Sequence, residues 1–441
     1  MKVVIMAGGK GTRIREIASD IPKPMIKIGG IPVLEREIAS LKEQGFTDII
    51  LTVSHLGNII MDYFGDGSKI SPATGKPFGV NIDYYYEKEP LGSAGALFKL
   101  KDKLSDDFLL LNADSIFDVD FNRFVDFHKK HGGLVTLFTH PNNHPYDSGL
   151  IISDADGTVK KWLSKEEERP VYYKNRVNAG LHILSPKVLD IKIDTPKIDL
   201  DRQILKPLAN TGKMFIYDSP EYVKDMGTPD RYYLVEDNFL NGIVERKNLR
   251  NKQTAVFLDR DGTINKYNGF VRTPDEFELI PGVASAIRRL NESGYLVIVA
   301  TNQPVIARGE TTVEGLNEIH NKMETLLGNE GAYVDGIYYC PHHPHKGYEG
   351  EVPELKIECD CRKPKPGLLL KAASDFNIDL EKSYMIGDTS NDVLAGINAG
   401  CNTILLGDKI DSMYSDTILA ADLNDAVDHV LTKTLNKRRH L

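Results

Sequence analysis

Two short polar runs in this 441-residue chain each follow an apolar segment and carry the residue types that handle phosphate. The first, Met6-Ala-Gly8-Gly9-Lys10-Gly11-Thr12-Arg13, follows Val3-Val4-Ile5; the second, Asp259-Arg260-Asp261-Gly262-Thr263, follows Ala255-Val-Phe-Leu258. A buried strand that ends in a polar loop is where open α/β sheets place their ligands. One domain needs one such site, so two of them predict two fused phosphate-transfer enzymes.

In the first run, Gly8, Gly9 and Gly11 let backbone N–H groups approach a triphosphate without side-chain obstruction. Arg13 offers a fork of donors for phosphate oxygens, and Lys23, in Pro22-Lys-Pro-Met25, offers a second cation. Alone, such a glycine cluster is ordinary turn chemistry. Four further features change the balance. Glu89-Pro-Leu-Gly92-Ser-Ala-Gly95 is a small-residue loop suited to contact with a flat base. Asn112-Ala-Asp114 ends the apolar segment Phe108–Leu111 with a carboxylate, Asn178-Ala-Gly180 supplies an amide, and Asp225-Met-Gly-Thr-Pro229 supplies a second carboxylate.

The second run places Asp259 and Asp261 two residues apart on the same side of an extended segment. One can attack phosphorus to form an aspartyl-phosphate, while the other protonates the leaving oxygen and then activates water. Thr301-Asn302-Gln303, after Leu296–Ala300, offers a hydroxyl and amides to a phosphoryl group. Lys363 or Lys365, in Cys361-Arg-Lys-Pro-Lys-Pro366, offers the neutralising cation, and Ile386-Gly-Asp388-Thr-Ser-Asn-Asp392 offers the remaining Mg²⁺ carboxylate. Cys340-Pro-His342 and Cys359-Asp-Cys361 form a Cys₃His set suited to a closed tetrahedral zinc, with steps tighter than the usual finger spacing. Such a zinc is structural, pinning the loop 340–361 that delivers Arg362 and Lys363. Cys401 reads as a core residue, and His343 and His345 as spare surface histidines.

These residues need strands and helices to hold them. Strands are predicted at Lys2–Met6, Asp48–Val53, Asn81–Tyr86, Phe108–Leu111, Gly133–Thr139 and Leu181–Leu184, with amphipathic helices at Pro32–Gln44 and Asn122–Lys130. A second α/β series runs from the strand Ala255–Leu258 through the helix Gly282–Ser293, strand Leu296–Ala300, helix Val313–Leu327, strand Gly336–Tyr339, helix Pro366–Phe376, and strands Tyr384–Ile386 and Thr403–Leu406. The polar stretch Asn248-Leu-Arg-Asn-Lys-Gln253 is the least core-like, and the boundary is placed there. The expected organisation is a domain over 1–240, a linker over 241–252 and a domain over 253–435.

Composition agrees with this reading and narrows it. Apolar content of 41% and charged content of 27% are ordinary for a globular chain. The net charge of -9 argues against nucleic-acid or anionic-membrane binding, with Lys437-Arg438-Arg439 read as a solvated tail. No segment reaches the ~20 apolar residues of a membrane span, and Gly8-Gly9 interrupts any secretory signal, so a cytoplasmic location is expected.

Taken as a set and in order, the motifs of residues 1–240 resemble the sugar-1-phosphate nucleotidyltransferases, nearest the mannose-1-phosphate guanylyltransferase-like branch that favours GTP. The resemblance implies a Rossmann-like, GT-A-like domain in which a sugar phosphate oxygen attacks the α-phosphorus of a nucleoside triphosphate and pyrophosphate leaves. Arg13 and Lys23 would neutralise developing charge, Asp114 and Asp225 would hold Mg²⁺, and Gly8, Gly9, Gly11 and Gly92 would meet the nucleotide. Glu168-Arg169-Pro170 stands where the family usually has Glu-Lys-Pro, so Glu168, Arg169 and Asn178 are expected at the sugar phosphate.

Residues 253–435 resemble the haloacid-dehalogenase superfamily, in the histidinol-phosphate and heptose-bisphosphate phosphatase branch, which has a zinc loop and no large cap. The resemblance implies Asp259 as nucleophile, Asp261 as acid/base, Thr301 as phosphate ligand and Lys363 as the neutralising lysine. Mg²⁺ would be held by Asp259, Asp388 and the backbone of Asp261, with Asp392 behind them, and zinc by Cys340, His342, Cys359 and Cys361. Asn302 and Arg362 would contact the substrate, Arg362 at a second anionic group. Pro304-Val305 replaces the branch's usual Ser-Gly, which reshapes the substrate rim.

Joined, the two resemblances imply an enzyme of nucleotide-sugar biosynthesis. It removes the C7 phosphate of D-glycero-D-manno-heptose 1,7-bisphosphate and transfers GMP from GTP to the heptose 1-phosphate, giving GDP-heptose. The alternative keeps the architecture but pairs mannose-1-phosphate guanylyltransferase, or another sugar-1-phosphate nucleotidyltransferase, with a histidinol-phosphate-type phosphatase. A nucleotide-sugar sensor with dead sites is disfavoured by the intact charged set. Expected partners are small molecules, with a homo-oligomer allowed.

Overall fold

The computed structural model describes residues 1–8, 14, 17, 20–408 and 416–438, the side chains of 433–438 apart. It divides into two compact units. The first holds Met1–His140, Gly149–Leu163 and Asn178–Asn248; the second holds Pro141–Ser148, Ser164–Val177 and Leu249–Leu441.

The first unit is built on a nine-stranded mixed sheet. Val3–Met6 lies at its centre, parallel to both Asp48–Val53 and Phe108–Asn112. All three are runs of apolar residues, as a strand covered on both faces requires. Asn81–Tyr86 extends the parallel part, while Val177–Leu184 runs antiparallel against Phe108–Asn112. The helices Val33–Glu43 and Phe121–His131 turn their buried sides to the apolar core. A two-stranded ribbon pairs Ser115–Asp118 with Tyr222–Asp225 in antiparallel register.

The second unit carries a six-stranded, all-parallel sheet. Its spatial order is Gly336–Cys340, Leu296–Asn302, Ala255–Leu258, Tyr384–Gly387, Asn402–Leu406 and Ile418–Ala420. Numbered along the chain this is 3-2-1-4-5-6, the doubly wound order, whose carboxyl edge at the reversal is the ligand crevice. Strands 1 and 4 flank that reversal. Asp259 follows strand 1 and Asp388 follows strand 4, so topology alone brings them together.

Organisation departs from the sequence expectation in two ways. Segments 141–148 and 164–177 pack with the second unit, although the chain around them belongs to the first. The second segment is hydrogen-bonded to the helix Val313–Asn329: Thr325 Oγ1 accepts from Tyr173 N at 2.9 Å, and Glu324 Oε2 accepts from Asn175 N at 3.0 Å. Buried Arg176 pairs with buried Glu324 at 3.0 Å. Residues 241–252 are also more ordered than a tether. They include the helix Ile243–Arg246, and Asn377 Nδ2 donates to the carbonyls of Leu249 and Asn251.

Candidate active sites and a candidate metal centre

In the first unit, register sets the geometry. Asp225 is paired with Ser115 across the ribbon, and Met226 N donates to Asp114 O at 3.2 Å, so Asp114, in the turn just before Ser115–Asp118, lies beside the end of Tyr222–Asp225. Lys23, buried at the start of a short 3₁₀ turn, reaches Asp114 Oδ2 at 3.0 Å. Asp225 accepts from Gly227 N and pairs with the Arg231 guanidinium. Arg231 was not singled out by the motifs; its signal is its place in the first turn of the helix capped by Thr228, six residues after Asp225.

A third carboxylate lies close by. Glu37 on Val33–Glu43 is buried with neither oxygen hydrogen-bonded, and burial, with the charge of Asp114, pushes its pKa well up. Asp114 and Asp225 are both partly exposed and each is paired with one cation, and carboxylate oxygens are donors of the kind Mg²⁺ takes.

The loop 89–95 is zipped to the segment near Ile198, with Ala94 N donating to Ile198 O and Ile198 N to Leu91 O. Gly92 has φ +82°, and a Cβ there would lie 2.4 Å from Ile198 O. Gly8 lies against Ser54, whose Oγ donates to Gly8 O. Asn178 Oδ1 accepts from Gly180 N and meets His182 Nε2 at 3.1 Å. Burial holds the His182 pKa down at about 4, so its ring is neutral at pH 7. Gly9, Gly11 and Arg13 lie outside the described residues.

The expected pair Glu168 and Arg169 belongs to the second unit, whereas Asp114, Asn178 and Asp225 belong to the first. The Arg169 fork, expected on a phosphate, donates instead to Pro145 O and Ser148 O. A guanidinium satisfies whichever carbonyls a folded loop presents to it, and the sequence cannot show that loop closing.

In the second unit, the predicted residues converge. Lys363 Nζ lies 2.9 Å from Asp259 Oδ1 and 2.5 Å from Asp392 Oδ1. Burial pushes the Asp259 pKa up to about 7, against the pull of Lys363, and raises Asp388 to about 6. Burial disfavours the charge on Lys363, but Asp259 and Asp392 outweigh it, so the ammonium is retained. Asp388 Oδ1 is buried with no partner, and ligand oxygens of Asp259, Asp388 and Asp392 all lie within 4.8 Å of one another. An orphaned carboxylate oxygen among three crowded acids fits a divalent cation. Gly262 must be glycine here: φ is +86°, and a Cβ would fall 2.0 Å from Asp388 Oδ2.

Two expectations change role. Asn302, expected on the substrate, exchanges two 3.0 Å hydrogen bonds with the Lys363 backbone, so it fixes the lysine instead. His343, read as a surface histidine, is buried with Nε2 3.3 Å from Arg308. Thr301 is buried at the end of its strand, and its Oγ1 accepts from Gln303 at 3.0 Å, leaving its proton to donate. Lys365 pairs with exposed carboxylates, which leaves Lys363 as the buried cation. Asp392 caps the helix Ser390–Ala399 through Thr389, consistent with a supporting place.

Cys340, His342, Cys359 and Cys361 close into one cluster. The sulfurs are 3.2 to 3.5 Å apart, and His342 Nδ1 is 3.4 Å from Cys361 Sγ and 3.7 Å from Cys340 Sγ. Tetrahedral zinc with ~2.3 Å bonds to sulfur needs edges of ~3.8 Å, close to these. All four cysteines are free, and burial pushes the Cys340 and Cys361 thiols up, so without a cation these sulfurs stay protonated. Arg362 donates to His342 O at 3.1 Å, tying the cluster to the strand of chain that carries Lys363.

Fold and sites together define a nucleotidyltransferase joined to an aspartate-based phosphatase. Residues 2–242 match the nucleotidyl transferase family, residues 150–400 match the haloacid dehalogenase-like hydrolases, and the chain belongs to both. It is 45% identical over 152 residues to D-glycero-beta-D-manno-heptose-1,7-bisphosphate 7-phosphatase of Yersinia pestis, spanning 34% of this chain and 79% of that one. It is 31% identical over 252 residues to mannose-1-phosphate guanyltransferase of Saccharomyces cerevisiae, spanning 56% and 67% of the two chains. Among solved structures, HddC from Yersinia pseudotuberculosis is 28% identical, with a TM-score of 0.45 over 54% of this chain and 99% of that one. Among the described residues, no helix is long and apolar enough to cross a membrane.

Proposed function

We propose that the chain converts D-glycero-D-manno-heptose 1,7-bisphosphate to GDP-heptose in two reactions. The observation that carries this is the pairing itself. One half is related to phosphatases named for that bisphosphate, and the other half belongs to the nucleotidyl transferases and is related to a guanyltransferase named for a sugar 1-phosphate, the kind of product such a phosphatase leaves.

In the phosphatase, Asp259 Oδ1 is anchored by Lys363 and by Arg260 N, which leaves Oδ2 to attack phosphorus. The P–O bond to C7 of the sugar breaks, and the proton of Asp261 passes to the departing sugar oxygen. Water then attacks the aspartyl-phosphate, gives its proton to Asp261, and frees phosphate and the Asp259 carboxylate. Thr301 donates to a phosphoryl oxygen and Lys363 offsets its charge. Asp259, Asp388 and the Asp261 backbone would hold Mg²⁺, which supplies charge neutralisation at the phosphoryl group when bound. Cys340, His342, Cys359 and Cys361 would hold zinc, with no part in the chemistry.

In the transferase, Asp114 and Asp225 would hold Mg²⁺ on the triphosphate, with Lys23 and Arg13 balancing the charge of the transferred and leaving groups. Arg231, paired with Asp225, would add a further donor for phosphate oxygens. Gly8, Gly9, Gly11 and Gly92 admit the nucleotide, and Asn178 meets the sugar.

A substrate panel tests the reading. Phosphate release from heptose 1,7-bisphosphate should exceed that from histidinol phosphate, and pyrophosphate release from heptose 1-phosphate should be greatest with GTP. Preference for histidinol phosphate, or for mannose 1-phosphate over heptose 1-phosphate, would replace it with the alternative pairing.

A further inference from the structure

Within the second unit, Asp261, the carboxylate proposed to exchange protons, accepts five hydrogen bonds. Asp261 Oδ1 accepts from Arg260 Nε at 3.1 Å, Arg260 Nη2 at 2.9 Å and Asn265 Nδ2 at 3.0 Å. Its Oδ2 accepts from Arg260 Nη2 at 3.0 Å and Gln303 Nε2 at 2.9 Å. Arg260 is the largest fully buried side chain among the described residues, at 0% exposure. Arg260 lies past the end of the strand Ala255–Leu258, in a turn where its carbonyl accepts from Ile264 N at 2.8 Å and Asn265 N at 3.0 Å, and its side chain folds onto the next residue and is held there by its surroundings. The holder is His320, buried on Val313–Asn329, whose Nε2 lies 3.4 Å from Arg260 Nη1. Burial and the neighbouring Arg260 charge keep the His320 ring neutral, so Nε2 is free to accept.

We infer that Arg260 is a positioning residue for the phosphatase reaction. Its buried guanidinium, steadied by His320 and assisted by Asn265 and Gln303, fixes the rotamer in which Asp261 exchanges a proton with the leaving oxygen and then with water. A bidentate fork does this where an ammonium cannot, because two parallel N–H donors define a plane and a point charge does not. The inference rests on Asp261 being the acid/base.

The test exploits the two half-reactions with leaving groups of different demand. p-Nitrophenolate departs without a proton, so attack by Asp259 on p-nitrophenyl phosphate needs no acid, whereas hydrolysis of the aspartyl-phosphate still needs the base. In Arg260→Met, rapid mixing of the full-length, Mg²⁺-loaded enzyme with p-nitrophenyl phosphate should give a burst of close to one nitrophenolate per chain at an unchanged rate. Steady turnover should be about 100-fold slower, within the range general acid–base groups supply. With a simple alkyl phosphate there should be no burst, and turnover should fall by a similar factor with KM little changed. Arg260→Lys, which keeps the buried charge, serves if the first variant does not fold and should lie between the two.

Asp261→Asn is the reference. If it lacks the burst-and-stall pattern, the acid/base assignment is wrong. If it shows the pattern and folded Arg260 variants lose the burst along with turnover, or turn over normally, Arg260 does not position it.

Discussion

At the scale of single residues, both sites are sets of carboxylates whose charge the fold must balance. Lys363 balances two of them in a buried pocket, so Lys363→Ala leaves Asp259 and Asp392 uncompensated. Breaking such a pair costs about 3–5 kcal/mol. Thermal unfolding should show the second unit melting earlier, with phosphate release lost and nucleotidyl transfer retained. Gly262→Ala sets a Cβ against Asp388 in a backbone conformation that alanine disfavours. Phosphatase activity should fall by about 100-fold or more, the usual effect of an ångström-scale displacement, with pyrophosphate release as the internal control. His182 supplies a pH signature in the first unit. Its ring has a pKa of about 4 when folded against an ordinary value of 6.5. The unfolded chain therefore binds the proton more readily, and the contribution is present above pH 6.5 and lost as pH falls from 6.5 to 4. It amounts to at most about 3 kcal/mol. His182→Asn should flatten that part of the stability–pH profile, measured by denaturant unfolding; an unchanged slope would contradict the assignment.

At the scale of elements, the Cys₃His cluster joins Asn302 and Arg362 in fixing the path of the chain into Lys363. Metal analysis should find close to one zinc per chain, as a closed Cys₃His site requires. Cys359→Ser should lower both zinc content and phosphate release while leaving nucleotidyl transfer intact; an active, zinc-free enzyme would remove the claim. The elements around the sites were also the most legible in the sequence. Asp48–Val53, Asn81–Tyr86 and Ala255–Leu258 form at their predicted bounds, and the other predicted strands and helices shift at their ends by a few residues. Those segments have an unbroken apolar run or a clear helical period. Ser115–Asp118, Leu150–Ser153, Val159–Leu163, Met214–Asp218 and Tyr222–Asp225 lie outside the predicted set, because each is only four or five residues long and takes its place from the strand it pairs with. The helices Ser390–Ala399 and Leu423–Arg438 also lie outside the predicted set, the first starting within the Asp388–Asp392 motif. The same limit governs the sites. Lys23, Asp114, Asp259, Lys363 and Asp388 were readable from motifs, whereas the partners of Arg169, Asn302 and Asp261 arise only when loops close.

At the scale of the molecule, the two sheets are not divided by one cut in the sequence. The second unit includes segments 141–148 and 164–177, so a fragment containing only 249–441 lacks the Arg176 partner of buried Glu324. An unpaired buried carboxylate costs several kcal/mol. The fragment should therefore unfold at lower denaturant than the second unit does in the full chain, and Glu324→Gln should recover part of the loss in the fragment while weakening the full chain.

In the proposed function, one chain carries out both reactions on one sugar. Purified protein given D-glycero-D-manno-heptose 1,7-bisphosphate, GTP and Mg²⁺ should release phosphate and pyrophosphate in equal amounts and form GDP-heptose. Asp259→Asn should stop both from the bisphosphate while still releasing pyrophosphate from heptose 1-phosphate. Phosphate without pyrophosphate, or full phosphate release by Asp259→Asn, would contradict it.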